Sequence, residues 1–223
     1  YGNESKAYDL GTLHVMRDEM LDKRLWDLPD TGEDIGIDTL GNPVYMSTGD
    51  FYEGKTTNLI DGIIEYATGT DKFIPNTTYF GDTWVVNGVD VNRNPSWNVI
   101  IDLGDYYRLS RIVTHQTWNV NDEYSSGQVG LFYGRDNVGR YKVYYLDEAS
   151  NVWKLIGEEK IIARPPNNYT DMEIIFFAEA GDEVFMYPDD PDFTPRTRYF
   201  RYEKIAGFLG VGDKLTEITL YGK

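Results

Sequence analysis

Cysteine is absent from the 223 residues, and histidine occurs only twice. The first absence excludes a disulfide framework, zinc ribbons and thiol catalysis. His14 and His115 form no pair at metal-ligand spacing. H-E-x-x-H, G-x-S-x-G and phosphate-loop motifs are missing as well. Carboxylates are plentiful, but glycosidase chemistry needs two held about 5–9.5 Å apart across a cleft, which spacing along a chain does not reveal. The residues therefore point to no reaction, and the chain reads as a non-enzyme. Long apolar runs are also lacking: the longest, Ile174 to Ala178, falls far short of the roughly 20 residues of a membrane-spanning helix. Basic residues are scarce, with 21 Lys and Arg against 37 Asp and Glu, a net charge of −16. Such a surface lacks the footprint of a nucleic-acid binder and is repelled by anionic membranes. The chain opens at Tyr1 rather than Met, which reads as a trimmed or mature segment from which any export signal would be lost.

Aromatics and glycine are abundant. Five Trp, eighteen Tyr, ten Phe and 22 Gly favour pleated, half-buried surfaces joined by tight turns. Residues 1–49 read as a lead-in or linker. Within it Leu13 to Leu25 predicts about three turns of helix, with Leu13, Met16, Met20 and Leu21 on one face. From residue 50 to 223 the period is two. Trp97, Val99, Ile101 and Leu103 alternate with Asn98, Ile100 and Asp102, and Leu109–His115, Tyr141–Leu146, Met172–Phe177 and Leu215–Tyr221 are strand-like. Short strands punctuated by Gly, Asn and Asp predict an all-β sandwich. Long connections at 63–83, 115–139 and 186–197 place function at loop tips.

Six segments, in order, carry a family resemblance. They are Asn58-Leu59-Ile60-Asp61-Gly62, Asp82-Thr83-Trp84, Trp97 to Gly104 with its following strand, Tyr141 to Trp153, Tyr199-Phe200-Arg201-Tyr202, and Glu217 to Gly222. Together they resemble the discoidin or coagulation factor V/VIII type C module of the galactose-binding-like superfamily. The acidic composition and the lead-in are similar to the C-terminal modules of bacterial surface lipoproteins that handle glycans. The resemblance implies a jelly-roll β-sandwich, a glycan or glycoconjugate as partner, bound through loops at one end, and galactosides as a common ligand class. It implies a secreted or cell-surface location, with a lipid-anchored outer-membrane protein as one form and further domains upstream. An adhesion or scaffold module that contacts protein and has no sugar site is the alternative.

The resemblance also implies a structural calcium ion. Carried over residue by residue, its ligands would be Asn58, Asp61, Thr83 and Glu217, although Ile63 and Ile64 stand where a second acidic ligand is common. The competing reading makes Asp61 a turn cap and leaves Glu217 in solvent. Trp84, Trp97 and Trp153 match packing positions of the family. Trp118 opens the polar run Trp118 to Tyr124 and is the aromatic platform expected under a sugar ring, unless it covers the sandwich edge. Asn119, Arg135, Asp136 and Asn137 are the expected hydroxyl partners. Tyr79 and Phe208 are further candidates for sugar contact.

Overall fold

The computed structural model describes residues 18–30, 32–46, 56–63, 78–79, 97–116, 137–162, 180–187, 193–207 and 214–223. Their regular structure is almost all strand: β1 (Glu19–Met20), β2 (Asp34–Ile37), β3 (Pro43–Tyr45), β4 (Thr78–Tyr79), β5 (Trp97–Tyr107), β6 (Leu109–His115), β7 (Val138–Asp147), β8 (Val152–Leu155), β9 (Lys160–Ile161), β10 (Asp182–Phe185), β11 (Thr197–Gly207), β12 (Lys214–Leu215) and β13 (Glu217–Gly222). Two single 3-10 turns, Lys23–Leu25 and Thr56–Leu59, are the helical elements among them. The expected segment Met172–Phe177 lies outside the described residues.

The strands pair into two main sheets, in the orders β1-β13-β6-β10 and β3-β2-β8-β7-β11-β5, with β9 beside β7 and a small β12-β4 ribbon. All-β is the fold class, as the period of two predicts. The alternation in β5 is realised in space: Trp97, Val99, Ile101 and Leu103 are buried and stand opposite Phe200, Tyr202 and Lys204 of β11. Val143 and Tyr141 continue that layer on β7. From the other sheet Ile112, Ile218 and Leu220 complete the core. Burying one face of each sheet against the other is what stabilises the sandwich, at about 1.5–3 kcal/mol per large apolar side chain.

Of the helix expected over Leu13–Leu25, residues 13–17 lie outside the described residues, and the remainder departs from it. Residues 19–20 are a strand, and 23–25 make one 3-10 turn capped by Asp22, whose side chain accepts from Arg24 N at 3.0 Å. Tertiary pairing outweighs the helical spacing here. β13 would otherwise end the sheet with open backbone groups, and β1 covers it, with Leu21 N donating to Leu220 O at 3.0 Å. Leu21 and Trp26 join the core, as do Val44 and Met46 from the β2–β3 hairpin side. Met46 explains why Ile100, on the outer face of β5, is also fully buried: the Ile100 amide points at the Met46 sulfur, 3.1 Å away.

One glycine makes this docking possible. Gly104 in β5 has φ +75°, and a Cβ there would lie 2.3 Å from the Leu25 carbonyl oxygen. Asp27 and Asp102 exchange backbone hydrogen bonds of 2.9 Å beside it. The lead-in is thereby held flat against β5, which aims the Lys23 side chain at the last strand.

Candidate functional site

Strand registers gather many chain ends in one place. In one sheet Trp97 lies opposite Lys204, Lys204 opposite Tyr141, and Gly207 opposite Val138. In the other, Glu217 faces His115 and Asp182 faces Thr114. Gln116 ties the two together, donating to Val138 O at 3.1 Å and accepting from Val138 N at 2.6 Å. Residues 97, 116, 137, 182, 207 and 217 therefore sit at one end of the sandwich, and the connections 80–96, 117–136 and 208–213 begin or finish there.

Most of the residues expected to touch sugar belong to those connections. Trp118, Asn119, Arg135, Asp136 and Phe208 lie outside the described residues, as does Trp84. Tyr79 is on β4, where its backbone pairs with Lys214 across the short ribbon that follows the 208–213 connection. Asn137 is 1% exposed, a placement that suits holding the start of β7 rather than reaching a ligand. Trp97 and Trp153 are core residues, and Trp153 also donates through its indole to Ile35 O at 2.5 Å.

Beneath this end the core is aromatic and polar. Tyr141 and Tyr202 stack with centroids 4.6 Å apart, and Tyr202 stacks on Trp97 at 5.7 Å. Among the described residues neither tyrosine hydroxyl has a hydrogen-bond partner. Burial raises the pKa of both hydroxyls, and the charge of nearby Asp182 raises them further. Desolvation pushes the Asp182 carboxyl up to about 7, against the hydrogen bond from Gln116.

The acidic residues of the expected calcium site do converge. Glu217, far from being in solvent, is fully buried, and its Oε2 accepts from Gly62 N at 3.2 Å. That bond brings the turn carrying Asn58 and Asp61 against β13. Asp61 caps its own turn, accepting from Ile63 N at 2.8 Å, as the turn-cap reading of this residue expects. Thr83 lies outside the described residues. What no motif announced is Lys23. Its ammonium donates to Glu217 Oε1 and, at 2.9 Å, to Thr219 Oγ1, and it feels the charge of Asp61. The Trp26 ring lies 5.7 Å away on another side. Burial pushes the Glu217 carboxyl up to about 7, while Lys23 and the Gly62 amide pull it down; burial likewise lowers the Lys23 pKa.

This donor set does not fit calcium as it stands. The ion takes six to eight oxygens at about 2.3–2.6 Å, whereas here one Glu217 oxygen faces an ammonium and the other an amide hydrogen. Among the described residues no group of three His, Cys, Asp or Glu is disposed to hold a metal.

A different surface occupies the opposite end. An open groove of about 360 Å³ is lined by Tyr106, Tyr145, Asp147, Glu148, Pro195 and Arg196. Its polar groups are largely engaged with one another. The Tyr106 hydroxyl donates to Glu148, and Arg196 Nη2 donates to Tyr106 O at 3.3 Å.

Comparison with known proteins places the fold. Residues 77–222 match a family, DUF5000, described as a domain of unknown function. A SusE-like protein of known structure aligns with a TM-score of 0.56 and 19% identity, over 92% of this chain and 100% of the other. The CBM32-3 module from a family 31 glycoside hydrolase of Clostridium perfringens aligns at 0.50 and 14% identity, over 92% and 95%. No curated protein matches. At such identities the likeness establishes a shared sandwich.

Proposed function

This chain belongs to the DUF5000 family, and we propose that it is a non-catalytic carbohydrate-binding module, exported or displayed at a cell surface. The observation that carries the reading is the gathering of strand ends, and so of the long connections, at one end of this sandwich. The same fold serves the SusE-like protein and a carbohydrate-binding module, although fold alone hosts many ligands. No described helix is long and apolar enough to cross a membrane.

The binding platform in this proposal is Trp118, with Asn119, Arg135 and Asp136 as hydroxyl partners and Tyr79 and Phe208 as lesser candidates. A sugar offers an apolar ring face and a rim of hydroxyls, so an aromatic plane flanked by amide and charged groups answers both. Galactosides, the class implied by the discoidin resemblance, are the first ligands to test.

A glycan array followed by titration of the hits is the experiment. Millimolar binding corresponds to about −4 kcal/mol, small enough for one stacking residue to supply a large share. Trp118→Ala should therefore abolish detectable binding and leave the melting curve in place. Arg135→Ala should weaken it by about 2- to 13-fold, one hydrogen bond being worth about 0.5–1.5 kcal/mol. An array with no hits sinks the sugar reading and leaves the adhesion alternative. Undiminished binding by a folded Trp118→Ala moves the site to Tyr79 and Phe208 or to the opposite groove.

A further inference from the structure

We infer that Lys23 is the resident cation of the Asp61–Glu217 corner, its ammonium taking the place of the calcium ion that the discoidin resemblance implies. The corner has what a cation requires: a fully buried carboxylate on β13, a hydroxyl at Thr219 and a second carboxylate, Asp61, within electrostatic reach. Lys23 supplies the positive charge from the lead-in, 194 residues away in sequence from Glu217. Its Nζ occupies the hydrogen-bonding position between Glu217 Oε1 and Thr219 Oγ1.

The ammonium already engages the Glu217 and Thr219 oxygens that a second cation would need, and calcium added beside it would place like charges next to each other. The backbone that carries Lys23 is anchored on both sides of its turn by Leu21 and Trp26, which belong to the core, so the ammonium always starts from within reach of the corner. The lead-in is also locked at Gly104, where the Leu25 carbonyl approaches too closely for any side chain. A tethered ammonium is present at a fixed high effective concentration, so free calcium competes poorly for the same oxygens.

The consequence is a sandwich whose last strand is tied down without metal and whose lead-in is part of the tie. The full chain, purified with excess calcium chloride and then desalted, should carry no stoichiometric calcium by elemental analysis. Its melting temperature should agree within about 1 °C in EDTA and in excess calcium chloride, because a ligand that does not bind the native state cannot stabilise it. Lys23→Gln, which removes the charge and keeps a polar, slightly shorter side chain, should melt about 6–20 °C lower, the loss expected when one partner of a buried pair is removed. One calcium per chain, a calcium-dependent rise in the wild-type melt, or a Lys23→Gln variant that melts with the wild type would each overturn the inference. Should the variant not fold, the wild-type metal content and paired melts decide alone.

Discussion

Two carboxylates flank the end of β6, and the fold treats them differently. Glu217 on β13 faces His115, and Asp182 on β10 faces Thr114. Burial pushes both carboxyls up to about 7. Glu217 is met by an ammonium, a backbone amide and a nearby hydroxyl-bearing neighbour that shares the same lysine. Asp182 has the Gln116 amide opposing its desolvation and, among the described residues, no cation pairing with it. The difference teaches that burial alone does not define an ion site. A partner must arrive, and at Glu217 it arrives from the lead-in.

The largest effect should come from breaking the compensated corner. Glu217→Gln leaves the Lys23 ammonium half-paired among Thr219 and Asp61, and should cost about 3–5 kcal/mol in urea unfolding. A loss below about 1 kcal/mol would mean that the pair contributes no more than a surface salt bridge.

Asp182→Asn should move stability the other way. A carboxyl raised from 3.8 to about 7 in the folded state makes its full contribution below about pH 4, and that contribution is lost as pH climbs through 7. The Asn variant lacks this slope while keeping a polar group for Gln116. It should therefore be more stable than the wild type at pH 8 by about 2–4 kcal/mol, and no more stable near pH 4. Parallel wild-type and variant pH profiles would show that Asp182 is solvated after all.

The smallest effect is expected in the aromatic layer beneath. Tyr202→Phe keeps both ring stacks and removes a buried hydroxyl without a hydrogen-bond partner, so it should change stability by less than about 1 kcal/mol. A loss of 2 kcal/mol or more, roughly the value of an unmade buried hydrogen bond, would reveal a partner for that hydroxyl.

Much of the sandwich was legible in the amino acids. The alternation from Trp97 to Leu103 and the strand-like runs over 109–115, 141–146 and 215–221 became β5, β6, β7 and β13, because a period of two leaves one face apolar and that face must be covered. Glu217 and Asp61 were legible as a pair through the resemblance. Their cation was not. Lys23 lies in a stretch whose apolar spacing reads as helix, and a lysine among charged neighbours such as Asp22 and Arg24 reads as solvated surface. The polar groove between Tyr106 and Arg196 was equally invisible, since its walls come from three separate strand ends.

Composition and periodicity by themselves determined that this chain is an all-β sandwich with a strongly acidic net charge and no thiol chemistry. These follow from residue type and local geometry, which act over a few positions. The tertiary structure alone decided that the lead-in completes both sheets, that Gly104 admits the Leu25 turn, and that Lys23 meets Glu217. Such matches depend on where strands 194 residues apart come to rest, and a buried carboxylate accepts whichever cation the packing delivers to it.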